Sequence, residues 1–146
     1  MSATREVAGI CQGHSAAVNI ACGFIPDHVR IFNLTKKRRG EWFNLAYTGA
    51  SAGVSHKDGY AFVTSSTGLT THATVNGITA YSGGDKADGT RVYQKGLPTD
   101  RITTVSTISN GYVASGTYTS AGFKIGTHAG LNNNNDVLLW HAIKFF

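Results

Sequence analysis

The sequence predicts an all-β chain, a single sandwich or barrel of short strands, on three observations. Apolar runs of about four to eight residues recur between Gly, Asn and Asp punctuation. Small polar or flexible residues dominate, with 11 Ser, 17 Thr, 18 Gly and 9 Asn among 146 residues, a mixture that suits strands joined by tight turns and weakens long helices. Charged residues make up only 14% of the chain, against roughly 25% in an average globular protein. Together these argue against an all-helical bundle.

The length fits one domain over 1–146, with residues 1–15 read as an N-terminal arm. A chain of this size buries about 68–70% of its unfolded surface, so a core can form without disulfides, metal or cofactor as staples. The expected strands, in order, are 17–22, 29–33, 41–46, 59–63, 74–78, 91–94, 102–106, 112–114, 123–125 and 137–143. Pro26-Asp27 turns the chain into the second of these, Gly53 marks a turn before the fourth, and Gly59 opens it. Gly77, Gly83-Gly84, Gly89, Gly111 and Gly130 mark later turns, and 82–89 is the most loop-like stretch. Phe123-Lys124-Ile125 alternates, with Lys124 turned to water and its neighbours inward. The closing run from Val137 to Phe146 is apolar at nearly every position, which predicts a central strand covered on both faces or an edge buried against another subunit.

The net charge is +5, from 13 Lys and Arg against 8 Asp and Glu. Four of the positive charges are consecutive, Lys36-Lys37-Arg38-Arg39, so the remaining 9 nearly balance the 8 acids and the basic character is one local patch. It runs into Gly40-Glu41-Trp42-Phe43, the one place where basic and aromatic residues interleave. That pattern reads as a docking patch for an acidic partner with Trp42 as anchor, or as a solvated hairpin tip whose charges protect a sheet edge. Nucleic acid is disfavoured as a partner because no further basic residues extend a groove. The start of the chain lacks the apolar run of a signal peptide, and no apolar stretch approaches the roughly 20 residues of a membrane span, so a chain made in the cytoplasm and not in a membrane is expected.

Residues that could carry chemistry are scattered. Cys11, His14, Cys22 and His28 lie within 18 residues, yet their spacing fits no common zinc pattern, and two free buried thiols are the simpler expectation. His14, His28, His56, His72, His128 and His141 form no paired motif that would place two imidazoles on one face. No Gly-x-Ser-x-Gly elbow or phosphate-binding Gly-Lys-Ser/Thr loop is present. Asp85-Lys86-Ala87-Asp88-Gly89 lacks the alternating oxygens and closing Glu of a calcium loop, and turn chemistry accounts for it. No catalytic, cofactor or metal residues are therefore assigned, and an enzyme is not expected.

The segment Gly23-Phe24-Ile25-Pro26-Asp27-His28-Val29-Arg30-Ile31-Phe32-Asn33-Leu34-Thr35, followed by Glu41-Trp42-Phe43, resembles a group of small virion proteins of tailed bacteriophages. Gly122-Phe123-Lys124-Ile125-Gly126, Leu131-Asn132 and the closing strand resemble the same group near its end, while about 79–118 matches nothing in it. The resemblance implies a capsid cement or decoration protein with a jelly-roll-like β-sandwich, located on the capsid surface of the virion after assembly in the host cytoplasm. It implies the major capsid protein and further copies of itself, as dimer or trimer, as partners, and carries over no catalytic residues. Interface anchors expected on this reading are Phe24, Lys36, Lys37, Arg38, Arg39, Trp42, Trp140, Phe145 and Phe146. The alternative is a tail- or fibre-associated module recognising a host-surface glycan, with Tyr81, Tyr93 or Tyr112 stacking on sugar.

Overall fold

A computed structural model describes residues 5–44, 60–72, 77–85, 91–94, 118–128 and 130–145. Within these the chain is all-β, a sandwich of two sheets. The strands are β1 (Arg5–Gln12), β2 (Val18–Ala21), β3 (His28–Asn33), β4 (Arg38–Phe43), β5 (Tyr60–Thr64), β6 (Thr70–His72), β7 (Ile78–Tyr81), β8 (Gly84–Asp85), β9 (Arg91–Gln94), β10 (Tyr118–Thr119), β11 (Gly122–Ile125) and β12 (Val137–Lys144). One sheet has six strands in the order β1-β12-β3-β4-β5-β6, the other has four in the order β7-β11-β2-β9, and β8 pairs with β10 in a short ribbon. All pairings are antiparallel except β2 with β9.

The two ends of the chain are nested: β1 pairs with β12, and the strands that follow and precede them, β2 and β11, pair in the opposite sheet. Arg5–Gln12 is thus a full strand, and the expected N-terminal arm is corrected. Its register brings Gln12 opposite Val137, a partner too remote in sequence for local patterning to reveal.

The core fills the space between the sheets. Val29 and Ile31 of β3, Trp42 of β4, Val63 of β5 and Leu138, Trp140 and Ala142 of β12 meet Val18 and Ile20 of β2 and Phe123 and Ile125 of β11. Phe123 stands edge-on to Trp140 with ring centroids 5.5 Å apart, a geometry that adds to simple area burial. Gly40 leaves the room that Leu131 fills from the 130–136 loop. That loop is tied down by amides: Asn33 Nδ2 donates to Asp136 Oδ2 at 2.8 Å, and Asn132 Nδ2 donates to the carbonyls of Ala16 and Gly126 at 3.1 and 3.2 Å. Each buried polar group there is thereby satisfied, which the low dielectric of the interior requires.

The closing strand is central in its sheet, between β1 and β3, and among the described residues the opposite sheet covers one of its faces. Leu138, Trp140 and Ala142 point inward and are buried, while Leu139 is 37% exposed. The expected strands 102–106 and 112–114 lie outside the described residues, as does Lys86–Thr90.

Candidate docking face

Side chains alternate across a strand, so the pairing registers define which residues share the outward face of the six-stranded sheet. One row runs Ile10, Leu139, Phe32, Arg39, Thr64 and Thr70 across β1, β12, β3, β4, β5 and β6. The next contains Ala8, His141, Arg30, Glu41 and Phe62, and the third Glu6, Ile143, His28 and Phe43. An antiparallel sheet with one wet face ordinarily turns polar residues outward. Here the first row instead starts with three adjacent apolar side chains, and Phe32 is 41% exposed.

The middle of the face is polar and internally paired. His141 Nε2 meets Glu6 Oε1, Arg30 Nε lies 3.9 Å from Glu41 Oε1, and His28 Nε2 lies 3.5 Å from Glu41 Oε2. His28 also stacks on Phe43 at 4.6 Å between centroids, with planes 14° apart. Glu41 therefore spends its charge on its own sheet.

At one end of the face, the β3–β4 hairpin projects Lys36 and Lys37 from the turn and Arg38 and Arg39 from the first two positions of β4. The turn is built by Asn33, whose Oδ1 accepts from Lys36 N at 2.8 Å, and by Lys37 in the left-handed region at φ 56°. Thr35 Oγ1 accepts from Val137 N at 3.0 Å and fastens the turn to β12. Among the described residues no acidic side chain pairs with Lys36, Lys37 or Arg39. Leu34 at the tip is 50% exposed.

The aromatic anchors expected from the sequence divide sharply. Trp42 and Trp140 are on the inward face, fully and nearly fully buried, and Phe24 is buried beneath Arg5, whose guanidinium lies 5.8 Å from the ring centroid. These three are core residues, and their assignment as interface anchors is corrected: a ring already sealed within its own fold has no surface to give a partner. Phe145 is 52% exposed, with its backbone N–H donating to Asp27 Oδ2 at 2.8 Å. Phe146 lies outside the described residues. Sequence reasoning missed Ile10, Phe32, Leu34 and Leu139. For Leu139 the signal available was the nearly continuous apolar pattern of 137–143, broken only by His141 and read without knowing which parity faces in.

Of the tyrosines proposed to stack on sugar, Tyr93 is buried, its hydroxyl 3.4 Å from the Gln12 carbonyl. Its ionisation is pushed up to about 12, chiefly by burial and secondarily by the Cys11 thiol nearby. Tyr81 is half-buried and its hydroxyl is 2.6 Å from Thr119 Oγ1. Tyr112 lies outside the described residues. Stacking by Tyr93 is therefore corrected as well.

The cysteines and histidines considered for zinc do not converge. Cys11 is in the core, where burial pushes its thiol up, and the Cys22 thiol, also raised by burial, donates to the Phe24 carbonyl at 3.2 Å. Among the described residues no three His, Cys, Asp or Glu side chains are grouped to hold a metal ion. No protein-family model, curated protein or solved structure matches this chain.

Proposed function

We propose that this protein is a structural adhesive, in its fullest form a capsid cement protein of tailed-phage type whose six-stranded sheet beds its outward face on neighbouring coat-protein subunits. The observation that carries the adhesive reading is the contiguous apolar row Ile10–Leu139–Phe32, continued to Leu34, on the outward face of the six-stranded sheet. Burying such a row releases about 25 cal/mol per Å² of apolar surface, and a specific interface needs on the order of 1,200–2,000 Å² in total. The row supplies the apolar part of such a patch, and the paired charges around His141 and Glu41 border it on one side. On a lattice the same modest contact repeats, so avidity substitutes for single-site strength. The coat-protein identity of the partner rests on the resemblance of 23–35 and 122–126 to small virion proteins.

The experiment uses purified phage heads with and without the protein. Heads that carry it should withstand higher temperature and osmotic shock, and Phe32→Ser with Leu139→Ser should abolish rebinding while leaving the free protein folded. Equal robustness of decorated and bare heads would refute the cement role. Undiminished binding by the doubly substituted protein would refute the face.

A further inference from the structure

Beside the basic hairpin tip the β5–β6 turn folds over, and between them lies a groove of about 310 Å³. It is lined by apolar Phe32 and Leu34 of β3 and its turn, by cationic Lys37, Arg38 and Arg39, and by the hydroxyl residues Thr64, Ser65 and Ser66, with Arg39 standing between Phe32 and Thr64 in the cross-strand row. Both turns that border it are held by hydrogen bonds. The β5–β6 turn is closed by Ser65 N donating to the Leu69 carbonyl at 2.9 Å and Gly68 N donating to the Ser65 carbonyl at 3.0 Å, with Thr64 and Thr70 hydroxyls 2.8 Å apart beneath it. The β3–β4 turn is held by the Asn33 cap and by Leu34 N donating to the Val137 carbonyl at 2.9 Å.

We propose that this groove receives an extended acidic segment of a partner protein, its carboxylates set against Lys37 and Arg39 and an intervening apolar side chain on Phe32 and Leu34. This rests on the adhesive reading and assigns the partner chemistry at one end of the docking face. Charge complementarity selects the occupant: Lys37 and Arg39 lack acidic partners among the described residues, whereas Glu41, the nearest acid on the same strand, is engaged by Arg30 and His28. Serine and threonine hydroxyls next to Arg39 can donate to the second oxygen of a carboxylate. An extended chain running along the strands turns alternate side chains to opposite sides, so its acidic residues can face Lys37 and Arg39 of the β4 side while the intervening apolar ones face Phe32 and Leu34 of the β3 side. A nucleic-acid backbone fits less well, because it needs a track of cations, and outside 36–39 the chain carries 9 positive against 8 negative residues.

The test is fluorescence polarisation with the full chain and four labelled probes: a peptide alternating Glu and Leu, its Lys–Leu counterpart, an all-Glu peptide and a single-stranded oligonucleotide. The Glu–Leu peptide should bind best, with affinity falling as salt rises. Lys37→Gln with Arg39→Gln should weaken it about tenfold, and Phe32→Ser should weaken it while bringing it down to the level of the all-Glu peptide. All these positions are solvent-facing, and circular dichroism of each variant verifies that the sheet persists. Equal binding of the Glu–Leu and Lys–Leu peptides, indifference to the Lys37 and Arg39 changes, or tighter binding of the oligonucleotide would each overturn the proposal. The two readings fail separately: Lys37→Gln with Arg39→Gln tests the groove, and head rebinding by a Leu139→Ser variant, which leaves every groove residue intact, tests the face.

Discussion

A single methyl group added to β1 measures how tightly the core is packed around Trp140. Gly9 lies opposite Trp140 in the β1–β12 register, and a Cβ at Gly9 would stand 2.5 Å from Trp140 Cζ2 and 2.7 Å from Cε2. That is about an ångström inside ordinary carbon–carbon contact. The indole cannot retreat freely, because Phe123 stands edge-on behind it at 5.5 Å between centroids. Gly9→Ala should therefore cost about 1–3 kcal/mol as overpacking. For a domain of this size the midpoint of thermal unfolding drops by about 2–4 °C for each kcal/mol. Trp140→Phe, which shortens the ring, should also destabilise, by leaving a void. Combined, the methyl enters that void, so the two penalties should fall short of their sum by about 1 kcal/mol or more. Urea unfolding of the parent, both single variants and the double variant, compared at unchanged m-value, reads the coupling. Costs that add to within about 0.5 kcal/mol, or a Gly9→Ala protein as stable as its parent, would refute this account of the core.

Two further outcomes follow from buried groups. Tyr93 has an ordinary ionisation near 10.0 that the fold pushes up to about 12, so the folded state holds a proton that the unfolded chain releases between those values. Stability from this group is complete below pH 10 and is lost as pH rises toward 12; Tyr93→Phe should flatten that alkaline decline in urea midpoints, and an unchanged slope would assign it elsewhere. Cys11 and Cys22 are buried with thiols shifted upward by burial, so neither should react with an aromatic disulfide reagent at neutral pH until urea unfolds the chain. Stoichiometric reaction in native buffer would show that one of these thiols is accessible.

Much of the fold was legible because its strands announce themselves locally. Residues 91–94 form β9 as expected, and the expected 17–22, 29–33 and 123–125 each coincide with a strand to within one or two residues. Other elements were less legible, for physical reasons. In β1, charged Arg5 and Glu6 and small Ala8 and Gly9 dilute the apolar signal, and its strand state is imposed by β12 from the far end of the chain. β4 starts at Arg38, ahead of the expected 41, because a four-residue turn closed by Asn33 and Lys37 makes a tight hairpin whose first paired residues are cationic. β7 starts at Ile78, the last position of the expected 74–78, and its register is set by β11; residues 74–76 lie outside the described residues. The ribbon strands β8 and β10 have two residues each and leave no periodic trace.

The candidate site was legible as a charge run and illegible as a face, and the difference lies in the parity of β12. In Leu138-Leu139-Trp140 every position is apolar, so alternation cannot say which side is inward, and the largest ring was the natural choice for a surface anchor. Shifting a strand by one residue exchanges its faces, so the question is decided by its neighbours. Gly9 on β1 and Gly40 on β4 lie in the same cross-strand row as Trp140 and Ile31. Gly9 leaves the space that the Trp140 indole occupies, and packing Trp140 inward forces Leu139 outward beside Phe32 and Ile10. The apolar face thus follows from the parity that Trp140 and Gly9 fix on β12, and the residues that made the core tight are the ones that left a dry patch outside it. Because the same β3–β4 hairpin carries Phe32 into that patch and Lys36 to Arg39 to its rim, an acidic and apolar partner surface would meet both features at once.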